Sequence, residues 1–130
     1  MSNVYWFLFE QDGAFLLAQR KDDKPPFAGR WALPGGEAQL GDTAKDVAHR
    51  VGNSELGVNV MGTAPYDTIT VEDAGAEHTI DVYRVGFEGE LKFRESGPYV
   101  EVGWAEADEL DDLDIELPEA LVTLLKGLVR

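Results

Sequence analysis

The segment from Trp31 to Val58 constrains the fold of this 130-residue chain more than any other part of it. It contains two consecutive glycines near its start, Gly35 and Gly36, and a third near its end, Gly57. Between them, apolar residues recur at spacings of three and four, which places them on one face of a helix. The members of this apolar stripe are Ala44, Val47, Ala48 and Val51. We predict a loop, a helix and a second loop.

The ends of the predicted helix carry recognisable signals. Asp42 or Thr43 can start it, because either side chain can accept a hydrogen bond from the unpaired amides of the first turn. Gly57 is placed to end it as a C-terminal glycine. Gly52 lies inside the helix and costs about 1 kcal/mol relative to alanine. We therefore expect the last turn to fray or to end early.

The residues before the segment predict a hairpin and a loop. Val4–Phe9 and Ala14–Ala18 are apolar runs separated by Asp12-Gly13, a strong signal for a tight turn between antiparallel strands. A loop from Arg20 to Arg30 follows, interrupted by Pro25-Pro26. It borders the Gly35-Gly36 turn with several of the chain's few cations, which are Arg20, Lys21, Lys24 and Arg30.

The residues after the segment complete an α+β pattern. Val58–Val71 is either one bent strand or two short strands, and Glu77–Phe87 is its return strand. Tyr99–Trp104 alternates as a strand, with Tyr99 predicted on the face opposite Val102. A C-terminal helix opens at Leu117-Pro118-Glu119 and presents one leucine face. Its leucines are Leu121, Leu124, Leu125 and Leu128. This order indicates a single domain over 1–130 with a mixed sheet.

The charge balance limits the partners. The chain has 25 acidic and 11 basic residues, a net charge of −14, and no cysteine. Such a surface repels nucleic acid duplexes and anionic membranes. It also repels free polyphosphates, unless metal ions or a local basic group screen them. The simplest interpretation of the acidity is solubility or a high-salt habitat, and part of it is concentrated between Glu106 and Glu116.

The segment resembles the Nudix box of the Nudix (MutT-like) hydrolases. The alignment starts at Gly36 and needs no gap, and Asp42 stands for the first glutamate of the pattern. The matching positions are Gly36, Arg50, Glu55, Gly57 and Val58. The departures are Val51 and Ser54, where the family has carboxylates, and Gly52, where it has a hydrophobic residue. The resemblance implies a Nudix fold, in which a mixed β-sheet is sandwiched between the box helix and a C-terminal helix.

The resemblance also implies a reaction and a site. Nudix hydrolases cleave a pyrophosphate in a nucleoside diphosphate linked to another moiety, assisted by Mg²⁺ or Mn²⁺. By this likeness Glu55 is a catalytic residue and a metal ligand, and the backbone carbonyl of Gly35 is a second ligand. Arg50 is also catalytic and orients the box carboxylates, and Asp42 is both the acid with which it pairs and a further metal ligand. Glu101 lies where many members place a further acid near the metals.

The departures leave two hypotheses open. Val51 cannot ligate a metal and extends the apolar stripe, while Ser54 offers at best a weak hydroxyl ligand. One hypothesis is a hydrolase weakened by the loss of box carboxylates. The other is a non-catalytic Nudix-fold domain that binds a nucleotide-like ligand or a protein, in which Glu55 pairs with Arg50 or caps the helix. A hydrolase must gather at least two acids around Glu55, and the candidates are Glu37, Asp42 and Glu101.

The resemblance and the composition together predict the setting. The partner is a small nucleotide or pyrophosphate compound, and neither a DNA or RNA duplex nor a membrane. The longest apolar run near the start, Val4–Phe9, is far shorter than a membrane span, and no basic segment precedes it. We therefore expect a cytoplasmic protein. A homodimer is left open.

Overall fold

The computed structural model of the chain describes residues 4–24, 27–93 and 97–127. The described strands are β1 (Val4–Gln11), β2 (Ala14–Arg20), β3 (Trp31–Ala32), β4 (Gly35–Glu37), β5 (Asn59–Asp73), β6 (Ala76–Glu88) and β7 (Tyr99–Glu106). The helices are α1 (Ala44–His49), which continues directly as a π-helix (Arg50–Glu55), a 3₁₀ turn (Ala107–Glu109) and α2 (Glu119–Gly127). Pro25, Pro26 and Leu128, which entered the sequence predictions, lie outside the described residues.

The described strands form one mixed sheet in the order β3-β2-β1-β6-β5. β1 runs parallel to β6, whereas β5 and β6 form a long antiparallel hairpin. β1 and β2 pair only near their shared turn, at Glu10 with Phe15 and at Gln11 with Ala14. Beyond that turn they diverge, so that β1 pairs with β4 and β2 pairs with β7. The divergence brings β4 and the start of β7 close to the box.

The predicted hairpin at Asp12-Gly13 is confirmed. Both residues have positive φ, 53° and 83°, as a two-residue turn between twisted strands requires. Among the described residues, none of the helices combines the length and the apolar composition of a membrane-spanning segment.

Each face of the sheet carries its own hydrophobic core. Under α2, Leu121 and Leu125 are fully buried against Ile80 and Val82. On the other face, a second cluster includes residues of the box helix, which consists of α1 and the π-helix that follows it. It contains Phe7, Phe9, Leu16, Val47, Ala48, Val51 and Leu56. The predicted α+β sandwich is therefore confirmed, and the apolar stripe of the box helix and the leucine stripe of α2 are the surfaces that close it.

Two strand predictions are refined by β-bulges, where an extra residue shifts the register. β5 is one continuous bent strand, with register shifts at Val60/Gly62 and Pro65/Asp67. In β7, Arg20 pairs with Tyr99 but Gln19 pairs with Glu101. Because of this shift, Tyr99 packs in the same cluster as Val102. The prediction that these two residues face opposite sides was wrong.

Candidate functional site

The box helix begins at Thr43. Its hydroxyl accepts a 3.2 Å hydrogen bond from the amide of Asp46, and the Asp46 carboxylate accepts one of 2.9 Å from the Thr43 amide, which makes a capping box. Of the two predicted starts, Thr43 is therefore the N-cap and Asp42 is not. Its carboxylate instead accepts hydrogen bonds of 2.9 Å from the amide of Gln39 and from Arg50.

Arg50 ties the loop before the helix to the helix itself. One guanidinium nitrogen pairs with Asp42 at 2.9 Å, and the other donates to the backbone carbonyl of Glu37 at 3.1 Å. The hydrogen bond from the Gln39 amide, followed by the one from Arg50, lowers the pKa of Asp42 below its ordinary value. The predicted pairing of Arg50 with Asp42 is present. The Asp42 carboxylate is bonded both to Arg50 and to the loop before the helix.

The second half of the box helix is a π-helix, and Gly52 is needed there because of tight packing. A Cβ atom at this position would overlap the side chain of Val60 on β5. The α-helix ends early, at His49, but the chain does not fray at Gly52. It continues as the π-helix, and the amides of Leu56 and Val58 bond to the carbonyls of Val51 and Gly52 at 3.0 Å each. The missing side chain lets the wider π turn lie against the sheet.

Glu55 ends the π-helix, is half-buried and lines a cleft. Burial raises the pKa of its carboxyl, and the hydroxyl of Tyr99 and the charges of Arg20 and Arg50 partly oppose the shift. Among the described residues no hydrogen-bond partner reaches its buried Oε1 atom. The only retained box carboxylate of the last helical turn is therefore poorly solvated and surrounded by positive charge.

Tyr99 and Arg20 converge on the backbone of Gly35. The buried Tyr99 hydroxyl accepts from the Gly35 amide at 3.0 Å and donates to its carbonyl at 3.2 Å. Arg20 donates to the same carbonyl oxygen at 3.0 Å. A side chain at Gly35 would overlap the carbonyl oxygen of Tyr5 on β1, so this close approach requires glycine. Burial, followed by the charge of Glu55, raises the pKa of Tyr99 well above its ordinary value, which keeps the hydroxyl protonated.

Neither Tyr99 nor Arg20 was predicted as a site residue. Arg20 had been assigned to a loop, but it is the last residue of β2, and its side chain is fixed by a further 2.9 Å bond from Nε to the Lys24 carbonyl. Its position next to Gly35 follows from the pairing of β2 with β7, which is a long-range contact. Tyr99 was hidden by the bulge in β7. The one available signal was the clustering of basic residues just before the glycines.

The cleft has a volume of about 330 Å³. Its described lining residues are Arg20, Lys24, Gly35, Gly36, Glu37, Gln39, Arg50, Glu55, Gly97 and Pro98. Three of these described side chains are basic and two are acidic, although the whole chain carries a charge of −14. The cleft is thus a local basic site on an acidic protein.

The acids predicted to join Glu55 are only partly assembled. Glu37 lines the same cleft, Asp42 is held by Arg50, and Glu101 is exposed on β7 and is not among the described lining residues. In the parts of the chain that the structure describes, no three histidine, cysteine or acidic side chains lie close enough to hold a metal ion. Mg²⁺ and Mn²⁺ prefer several oxygen ligands. These donors do not fit the metal site that the resemblance implies.

Comparison of the chain with known protein families supports the fold described above. A family model described as NUDIX domain matches residues 1–125. The chain belongs to the NUDIX family. The predicted membership and the predicted Nudix fold are both confirmed.

Individual NUDIX relatives extend the comparison. The nucleoside triphosphatase NudI of Escherichia coli O139:H28 is 28% identical, and the alignment covers 94% of each protein. A MutT NUDIX hydrolase from Burkholderia pseudomallei superposes with a TM-score of 0.77 at 26% identity, covering 98% of both chains. The MutT protein of Methanosarcina mazei Go1 superposes at 0.75 with 21% identity over 97% of this chain and 91% of its own, a likeness of fold alone.

The departures of this NUDIX domain from the box pattern have distinct environments. Val51 is 1% exposed and belongs to the core beneath the box helix, as its place in the apolar stripe predicted. Ser54 is exposed on the π-helix. A carboxylate at position 51 in this arrangement would be buried among apolar side chains, at a cost of several kcal/mol or a strongly raised pKa.

Proposed function

We propose that this domain binds a nucleoside polyphosphate, or a nucleoside diphosphate linked to another moiety, by its phosphate groups in the cleft between Arg20 and Arg50. The observation that carries the proposal is the basic lining of this cleft on a chain of charge −14. A negative surface repels a free polyphosphate. The cleft is a local basic group of the kind that overcomes this repulsion.

The groups of the cleft suit phosphate chemistry. Arginine offers planar, paired donors that match phosphate oxygens, and lysine adds a mobile point charge. Arg20 and Arg50 are each anchored to backbone carbonyls, and Lys24 is exposed at the rim. Anchored side chains lose less conformational entropy on binding. This arrangement favours the binding hypothesis over hydrolysis, because the acids needed around Glu55 are incomplete.

The first test is a calorimetric titration with nucleoside di- and triphosphates, comparing the wild type with Lys24→Met. Removing one exposed charge-assisted contact is expected to weaken binding by about fivefold, or about 1 kcal/mol. Lys45→Met is the matched control, since Lys45 is an exposed lysine of α1 that is not among the described lining residues. Equal affinity in the wild type and both variants would contradict the proposed cleft.

A second candidate function is slow cleavage of a pyrophosphate linkage, as first suggested by the box. Two observations favour it: Glu55 is retained in the cleft, and a relative at 28% identity is named a nucleoside triphosphatase. The test is a hydrolysis screen of nucleoside triphosphates, dinucleoside polyphosphates and nucleotide sugars with Mg²⁺ and Mn²⁺, run beside Glu55→Ala. Turnover that disappears in the variant supports an enzyme; turnover no greater than that of the variant excludes these substrates.

The remaining expectations are consistent with this proposal. A charge of −14 opposes binding to nucleic acid duplexes and anionic membranes, so we propose a small-molecule ligand. A cytoplasmic location and a homodimer stay predictions. Sedimentation analysis of the purified protein tests the homodimer directly.

A further inference from the structure

The contacts of the Gly35 carbonyl oxygen indicate what neutralises a bound phosphate. In the family pattern this oxygen is a metal ligand. Here it accepts from Arg20 Nη1 at 3.0 Å and from the Tyr99 hydroxyl at 3.2 Å. A carbonyl oxygen has two lone pairs, and these two donors use both. A cation at the same oxygen would have to displace them and approach a guanidinium of like charge.

Arg20 is held in this position from several sides. Its Nε donates to the Lys24 carbonyl at 2.9 Å, and its guanidinium carbon lies 6.0 Å from the centroid of the Tyr99 ring. The charge of Glu55 lies close enough for Arg20 to oppose the rise of its pKa. A guanidinium carries five N–H donors, more than these two backbone contacts use. Arg20 is therefore a pre-positioned cation facing the cleft.

We infer that Arg20 takes the place of the divalent metal in this domain, so that the cleft binds a pyrophosphate group without a divalent cation. The inference rests on the proposed function and adds its mechanism of charge neutralisation. Its basis is the joint geometry of Arg20, Tyr99 and Gly35, together with a set of described acids that does not suit a metal. The ligand class is a pyrophosphate-containing compound recognised by its phosphate oxygens.

The test is calorimetry with inorganic pyrophosphate and with a nucleoside diphosphate, in buffer containing either EDTA or Mg²⁺. We expect binding in EDTA to be at least as tight as in Mg²⁺. Arg20→Met should weaken binding in EDTA at least about tenfold, because a bidentate charge-assisted contact is lost. Arg20→Lys should recover only part of that loss, since lysine lacks the planar fork. Lys45→Met should leave binding unchanged.

The outcomes distinguish failure of this inference from failure of the proposed function. Binding that needs Mg²⁺ and disappears in EDTA overturns the inference but leaves the proposed function standing. Absence of binding in both buffers overturns the proposed function. A thermal melt of each variant confirms that it is folded before it is titrated.

Direct metal titration provides a readout that requires no phosphate ligand. Removing the guanidinium in Arg20→Met frees a lone pair of the Gly35 carbonyl beside Glu55. We expect Mn²⁺, followed by electron paramagnetic resonance, to bind this variant several-fold more tightly than the wild type. The gain should vanish in Arg20→Met with Glu55→Gln, which separates it from binding to the acidic surface. Wild-type protein that already binds Mn²⁺ as tightly as the variant contradicts the inference.

Discussion

The carboxylate of Asp73 accepts a 2.9 Å hydrogen bond from the backbone amide of Phe27. Asp73 ends β5, and its second oxygen pairs with Arg30 at 3.3 Å. Phe27 has a φ of 65° and is fully buried, with its ring 5.2 Å from that of Trp6 and 5.1 Å from that of His78. The loop that follows β2 is thus fastened at its centre to the tip of the β5–β6 hairpin.

Asp73→Ala is expected to lower the free energy of unfolding by about 1 to 3 kcal/mol, because the Phe27 amide and the Arg30 guanidinium lose their charged acceptor. The measurement is urea denaturation. Glu72→Ala is the control, because only the backbone carbonyl of Glu72 contacts Arg30. Similar losses in the two variants would show that the loss comes from the missing negative charge and not from the contact with Phe27.

Gly52→Ala is expected to destabilise the fold by about 1 to 3 kcal/mol, because the new Cβ overlaps Val60. Gly86→Ala is the control, since a Cβ at Gly86 meets no atom within 4 Å. In a double-mutant cycle, Val60→Ala should recover part of the loss by removing the overlapping methyl group. Simple additivity of the two substitutions would contradict this packing account.

Thr43→Ala should destabilise the box helix by about 1 kcal/mol, because the N-cap is lost. Thr43→Ser should keep most of the stability, because serine also caps well. Chemical denaturation of the three proteins provides the comparison. An alanine variant as stable as the wild type would contradict a stabilising role of the Thr43 cap.

Glu55 should make stability fall as the pH rises. Its pKa in the folded protein is raised above the ordinary value of 4.5, chiefly by burial. Between 4.5 and the raised pKa the folded state binds more protons than the unfolded state, so the free energy of unfolding decreases with increasing pH in that window. Glu55→Gln removes this dependence. The variant should gain stability relative to the wild type as the pH rises from below 4.5 to neutrality, and a difference that does not change with pH would contradict the buried, protonatable carboxyl.

Local signals in the sequence were enough to predict the two main helices and the five longer strands, but not the short strands β3 and β4, which lie where the sequence predicts a loop before the box helix. The turn at Asp12-Gly13 needs positive φ at both residues, and the apolar stripes of the box helix and of α2 have helical spacing. The pattern of the box predicts the contact between Arg50 and Asp42. Each of these features depends on residues close together in the chain.

The features that sequence reasoning missed depend on contacts between distant residues. Gly52 was expected to weaken the helix, but the lack of a side chain there allows the helix to pack closely against Val60 of β5. Tyr99 was placed on the wrong face because one bulge in β7 reverses the alternation of its side chains. Arg20 lies next to Gly35 where β1 and β2 diverge and pair with β4 and β7.

The most direct test of the central claim is a crystal structure of the wild-type protein grown with a nucleoside diphosphate in EDTA. The account predicts phosphate oxygens within hydrogen-bonding distance of Arg20, with Lys24 and Arg50 beside them. A larger groove of about 800 Å³ lies between β5 and α2, lined in part by Arg30 and by the acids Asp67, Glu72 and Glu119. Phosphates bound in that groove, with the cleft at Gly35 empty, would contradict the account.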